Sequence, residues 1–245
     1  MKTSGNINRL LGFVLVAILG SFSGVAYSYI FKPTENEFHL WSYKCKAIYA
    51  GTPIGAAMLF TKSIPITEAK KWRQIGELNG GAWHYCAGLI HFYRGKKEIN
   101  RFKRDRHYTE AFKEISFSYQ RLRPNSKMRS EIVTALAEVE RARGNYVKAQ
   151  EHLSRILKRA PGYARAYIVS AFIYRDKKDL NSAKKVLMNG LTDVEDIPAE
   201  LYYVLGLVML ELKDIKEAKK YAALAYKKGY PLPWLKNKLK EFPDK

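Results

Sequence analysis

The chain is short of acid. It has 23 Asp and Glu against 43 Lys and Arg, a formal charge of +20 over 245 residues. A surface this basic draws polyanions such as nucleic acid, anionic lipid head groups or acidic envelope polymers, and it says nothing about fold. Cysteine is nearly missing: only Cys45 and Cys86 occur, with no paired Cys-x-x-Cys, which excludes a disulfide-dense miniature scaffold and the usual zinc module. Short catalytic motifs are missing too. There is no Gly-x-Ser-x-Gly elbow and no His-Glu-x-x-His, and the stretch from Gly88 to Gly95-Lys96-Lys97 has neither the spacing of a phosphate loop nor a Ser or Thr after the lysine. Glu138 and Glu140 are two apart on an expected helix, so they do not face each other as an acid–base pair and are expected to be solvated. These absences point away from an enzyme, a resident metal or a cofactor.

Charge is absent altogether from Leu10 to Phe31, a run of 22 residues preceded by Lys2 and Arg9 and long enough to cross a hydrocarbon core. Two readings of residues 1–31 stay open. One is a cleaved signal peptide, with its apolar part from Leu10 to Leu19 and small residues up to Ala26 before a cut at Tyr27. The other is an uncleaved signal anchor with Tyr27, Tyr29 and Phe31 at the far interface. Both send the remainder across a membrane, either as an inner-membrane-anchored periplasmic domain or as a periplasmic protein. In such a compartment Cys45 and Cys86 are natural disulfide partners, the alternatives being two buried thiols or a metal site shared by His84, Cys86 and His91. The spacing of that last trio disfavours the metal.

Residues 32–79 lack a clean period. Turns at Thr52-Pro53 and Ser63-Ile64-Pro65 divide them into short helices, and a last helix, with Thr67 as its N-cap, ends at Asn79-Gly80-Gly81. Residues 80–128 read as a helix from Ala82 to Arg94 stopped by Gly95, a basic insertion, and a helix from Tyr108 to Leu122 before Pro124. Residues 129–231 then repeat. Ala149, Ala183 and Ala218 recur at spacings of 34 and 35, each four or five residues after a turn that separates two apolar helical runs. A period of this length built from two helices marks a solenoid. In residues 232–245, Leu232, Leu235, Leu239 and Phe242 form one helical stripe suited to a capping helix.

These units resemble tetratricopeptide repeats. The first regular unit carries Val133, Leu136, Ala137, Gly144-Asn145-Tyr146, Ala149, Leu153, Ile156 and Pro161. The second carries Tyr167, Ala171, Tyr174, Asp179, Ala183, Leu187 and Gly190, and the third Tyr202, Leu205, Gly206, Met209, Asp214, Ala218, Ala222 and Ala225. Two departures stand out: Glu140 occupies an apolar position, and the third unit lacks its closing proline. The stretch His84-Tyr85-Cys86, with Cys45 upstream, is similar to a group of exported proteobacterial tetratricopeptide-repeat proteins, which supports export and the cysteine pairing.

The resemblance implies an all-α, right-handed helical-hairpin solenoid whose first helices line a concave groove for a peptide or helix. Carrying the family's groove positions across gives Ala82, Tyr85, Leu89 and Phe92 in the divergent pair, then Glu131, Thr134, Glu138 and Arg141. The next two units give Arg165, Ile168, Phe172 and Arg175, then Glu200, Tyr203, Leu207 and Leu210. Such a lining suits a protein partner held by apolar anchors and charge-assisted bonds. The basic patch Lys96, Lys97, Arg101, Lys103, Arg104 and Arg106, with Phe102 and His107 interleaved, offers a second surface for anionic lipid or envelope polymer. Export makes nucleic acid the weaker partner. The expected role is a scaffold in the cell envelope.

Overall fold

The computed structural model describes residues 31–79 and 81–242. The stretch expected to direct export, residues 1–31, lies outside the described residues except for its last member, Phe31, which is 1% exposed and packs in the core of the folded unit. No helix among the described residues is long and apolar enough to cross a membrane.

Every regular element among the described residues is helical. A leading segment contains α1 (Glu35–Leu40), α2 (Tyr43–Ala50), α3 (Pro53–Ala56), a 3-10 turn over Leu59–Ser63, and α4 (Ile66–Leu78). Four antiparallel pairs follow: α5 (Ala82–Lys97) with α6 (Arg101–Arg121), α7 (Arg129–Ala142) with α8 (Tyr146–Arg159), α9 (Ala164–Asp176) with α10 (Leu180–Asp193), and α11 (Ala199–Glu211) with α12 (Ile215–Lys227). The short α13 (Trp234–Leu239) closes the array.

The pairs form because their two helices bury different amounts of surface. In α8 the buried residues are Ala149, Leu153 and Ile156, one stripe at helical spacing, so this helix faces the core on one side only. Its partner α7 buries Ile132 through Ala137 without a break, because neighbours cover it on both sides. The first helices α5, α7, α9 and α11 pack on one another in succession, whereas the second helices do not pack on each other to a comparable extent. The first helices therefore occupy the tighter, inner layer of the solenoid. The fully buried Ala149, Ala183 and Ala218 lie where the helices of a pair approach, and a larger side chain there would separate them.

The turns inside the three regular pairs share one geometry. Gly144, Lys178 and Lys213 adopt positive φ, and the next residue's N–H donates back to Glu140, Tyr174 and Met209 respectively. This is the left-handed helix ending that satisfies otherwise orphaned carbonyls. Asp179 and Asp214 then cap α10 and α12 by accepting from Ser182 N–H (3.0 Å) and Glu217 N–H (3.2 Å).

Several boundaries differ from expectation. Gly95 does not stop α5, which runs on to Lys97. The Tyr108 ring lies where a Cβ on Gly95 would point, 2.4 Å away, so the glycine serves close packing within the pair. The basic stretch is correspondingly not a loop insertion: α6 begins at Arg101, capped by Asn100, and takes in most of it. Pro65, not Thr67, precedes α4. Of the carboxyl-terminal stripe only Leu235 and Leu239 are buried, since α13 spans just six residues, and Leu232 and Phe242 fall outside it and stay exposed.

Cys45 and Cys86 are bonded, with their Cα atoms 5.6 Å apart, which ties α2 to α5. Around the bond, Trp41 Nε1 donates to the Cys86 carbonyl (2.8 Å), and Arg94 makes a two-pronged contact with Glu37 (2.6 and 2.7 Å). The leading segment is thus fixed to the first solenoid helix by covalent, hydrogen-bonded and ionic links.

Candidate partner-binding groove

The expected lining residues divide into two sets. Tyr85, Thr134, Ile168 and Tyr203 are buried, so they build the groove's wall instead of presenting a side chain to a visitor. Tyr85 is held there by its hydroxyl, which donates to Glu131 (2.9 Å), and Tyr203 is covered by Tyr230, whose ring stacks 4.0 Å away. Leu89, Phe92, Glu138, Arg141, Arg165, Phe172, Arg175 and Leu207 keep part of their surface accessible.

The charges of the inner layer pair with one another. Lys44 of α2 bonds Glu131 of α7, bringing the leading segment onto the groove's first edge. Arg165 of α9 joins Glu138 of α7 and, at 2.6 Å, Glu200 of α11, so one guanidinium bridges three successive repeats. Burial opposes the charge on Arg165, but the two carboxylates more than offset it and hold the group protonated. Arg141 meets Asp176 at 2.7 Å and Arg175 meets Glu211. Burial and then Glu131 push the Tyr163 hydroxyl up to about 12. Expecting Glu138 and Glu140 to be solvated is therefore incorrect. Glu138 is committed to Arg165, and Glu140 is 2% exposed, accepting from Asn145 Nδ2 (2.6 Å) and Arg143 (3.2 Å) to brace the α7–α8 turn.

Phe172 lies at the centre of this layer. The guanidinium of Arg141 sits 5.1 Å from its ring centre and that of Arg175 5.8 Å. Each arginine is aimed by its carboxylate on the next repeat. The result is a half-buried aromatic face flanked by two arginines whose forks are taken by Asp176 and Glu211, an arrangement suited to an apolar or aromatic side chain laid on a pre-organised wall.

Outside the groove, His84 does not join His91. Its ring lies tilted between Trp83 (3.6 Å) and Phe117 (3.9 Å), with Nδ1 2.7 Å from Glu114. His91 instead packs on Phe31 (5.3 Å) and His107 (6.1 Å). The basic patch lies around the turn joining α5 to α6 and the start of α6, where Arg101 and Arg104 share a cleft with Arg141 at the end of α7.

Sequence reasoning missed the partners of the lining: Lys44, Asp176 and Glu211. A signal for two of them was present. Arg141–Asp176, Arg165–Glu200 and Arg175–Glu211 are separated by 35, 35 and 36 residues, one repeat length each. Opposite charges recurring at the repeat period on first-helix positions mark a ladder across neighbouring units.

No curated protein and no solved structure matches the chain. Residues 130–173, covering nearly all of α7, the whole of α8 and most of α9, match the family model described as tetratricopeptide repeat.

Proposed function

We propose that the chain is a non-catalytic scaffold of the cell envelope that grips a peptide or helix of a protein partner in the groove of its first helices. Tetratricopeptide repeats generally mediate protein–protein interaction. The observation that carries the reading here is Phe172 between Arg141 and Arg175, a half-buried apolar anchor whose flanking arginines are held in place by Asp176 and Glu211. The ion-pair ladder favours a rigid groove over an adaptable one, and a pre-organised surface binds with less ordering cost. The envelope assignment rests on the uncharged run from Leu10 to Phe31 behind Lys2 and Arg9, and on a disulfide that needs an oxidising compartment.

A photo-crosslinking side chain placed at Phe172 tests the groove in native membranes. It should yield a discrete adduct, while the same side chain at exposed Lys227 on α12 should not. Capture by the native chain should survive moderately high salt and fall sharply in Phe172→Ala. Equal adducts at both positions, or capture abolished by salt alone, would count against the groove.

A further inference from the structure

The α5–α6 pair is longer than the others: its helices have 16 and 21 residues, against 13 or 14 in the regular pairs. Seven extra residues in the second helix extend it by about 10 Å at the usual rise. At the turn of this pair stand Ile99 and Phe102, 93% and 86% exposed, the two most exposed large apolar side chains among the described residues. Local polar bonds fix the turn. Glu98 N–H donates to the Arg94 carbonyl (3.0 Å), Asn100 N–H to Glu98 Oε1 (2.9 Å), and Lys103 N–H to Asn100 Oδ1 (3.1 Å). With the backbone held in this way, both apolar groups are presented to solvent and do not fold back.

Around them lie Lys96, Lys97, Arg101, Lys103, Arg104 and Arg106, against only Glu98 and Asp105. Arg101 and Arg104 also line a cleft of about 710 Å³ beside Tyr108 and the α7–α8 turn, room enough for a head group. Two apolar side chains ringed by cations match the boundary of an anionic bilayer, where acyl chains meet negative head groups. Phe102 alone would also suit a base stack, but an exposed isoleucine offers a nucleotide nothing comparable.

The place where the chain enters the fold agrees with this. The Phe31 ring is 5.3 Å from His91 and 5.5 Å from Arg94, both in the carboxyl-terminal half of α5. Ile99 follows Arg94 by five residues and lies just past the end of α5 at Lys97. The last residue of the uncharged amino-terminal run therefore packs on α5, the helix that leads into the basic apolar tip.

We infer that the α5–α6 tip is a membrane-docking element, with Ile99 and Phe102 entering the head-group boundary of an anionic bilayer and the surrounding lysines and arginines contacting lipid phosphates. This rests on the envelope reading only for its biological setting. It is a second surface whose apolar tip is distinct from the groove, although Arg101 and Arg104 adjoin the groove's Arg141 in one cleft.

The test uses full-length protein with Phe102→Cys carrying a polarity-sensitive fluorophore, the native cysteines being bonded, mixed with vesicles of phosphatidylcholine with or without phosphatidylglycerol. Expected are a blue-shifted emission and quenching by bromine-labelled lipid only when phosphatidylglycerol is present, and no response from a label at Lys227→Cys. Adding Lys103→Gln and Arg104→Gln should weaken the response about fivefold per cation, the factor corresponding to about 1 kcal/mol per near-surface charge. Flotation with pure phosphatidylcholine reports the amino-terminal segment alone, which keeps its membrane contact distinct from that of the labelled tip. The same emission in both vesicle types, or a response to an oligonucleotide and not to phosphatidylglycerol, overturns the inference.

Discussion

Lys178 and Lys213 occupy the left-handed position that Gly144 fills in the first regular turn, with φ of 63° and 64°. A side chain in that region costs about 1–2 kcal/mol, partly offset because glycine loses more entropy on folding. Lys178→Gly and Lys213→Gly should each raise unfolding stability by about 0.5–1 kcal/mol, and Gly144→Ala should lower it by about 1 kcal/mol, as read by urea titration. His91 supplies a pH dependence. Burial, aided by Arg94 and His107, lowers it to about 4 from the ordinary 6.5. The unfolded chain therefore binds the proton first, so the stability that comes from the neutral ring is complete above pH 6.5 and is lost as pH falls towards 4. The loss should be on the order of 3 kcal/mol, and denaturation midpoints across this window should fall much less steeply in His91→Gln.

At the level of elements, the leading segment and the ion-pair ladder carry the clearest consequences. Cys45 and Cys86 close a loop with a separation of 41 residues. Reduction, or Cys86→Ser, should cost about 3–4 kcal/mol in the chain-entropy account, and Trp41 emission should report it because that indole bonds the Cys86 carbonyl. Arg165→Met should destabilise by about 1–3 kcal/mol, less than for a fully buried charge because its side chain is 39% exposed. Glu138→Gln should cost less, since Glu200 still faces the guanidinium, and a double-mutant cycle would show the coupling. The sequence made the regular pairs legible, because the alanine period and apolar spacing are local patterns. It hid the length of the α5–α6 pair: Gly95 reads as a stop until Tyr108 is seen packing against it. It also hid the state of Glu138 and Glu140, whose partners lie across a repeat or a turn. A burial pattern separates positions that face solvent from those that do not, but it does not say which charge waits on the next helix.

Across the whole folded unit, the apolar interior falls into two clusters that meet in α9. Ala166, Val169 and Ile173 pack with the amino-terminal one and Tyr167, Ile168 and Ala171 with the carboxyl-terminal one. Stability in such an array is approximately a sum over neighbouring units. Truncating the fully buried Leu205 to Ala should cost about 2–5 kcal/mol. Hydrogen exchange should show the lost protection in α10 to α13 and leave the amides of α5 near their original rates. The asymmetry of the cross-link bears on how this stack is assembled. Both cysteines have been made by residue 86, before any regular repeat begins at residue 129, and chains order themselves from the amino terminus during synthesis. Oxidation can therefore set a covalent foundation stone first, with each later hairpin laid on a finished surface. A reducing lapse in that interval would leave the leading segment untied from α5 while the later hairpins still formed on their own neighbours, a fault confined to the base of the stack.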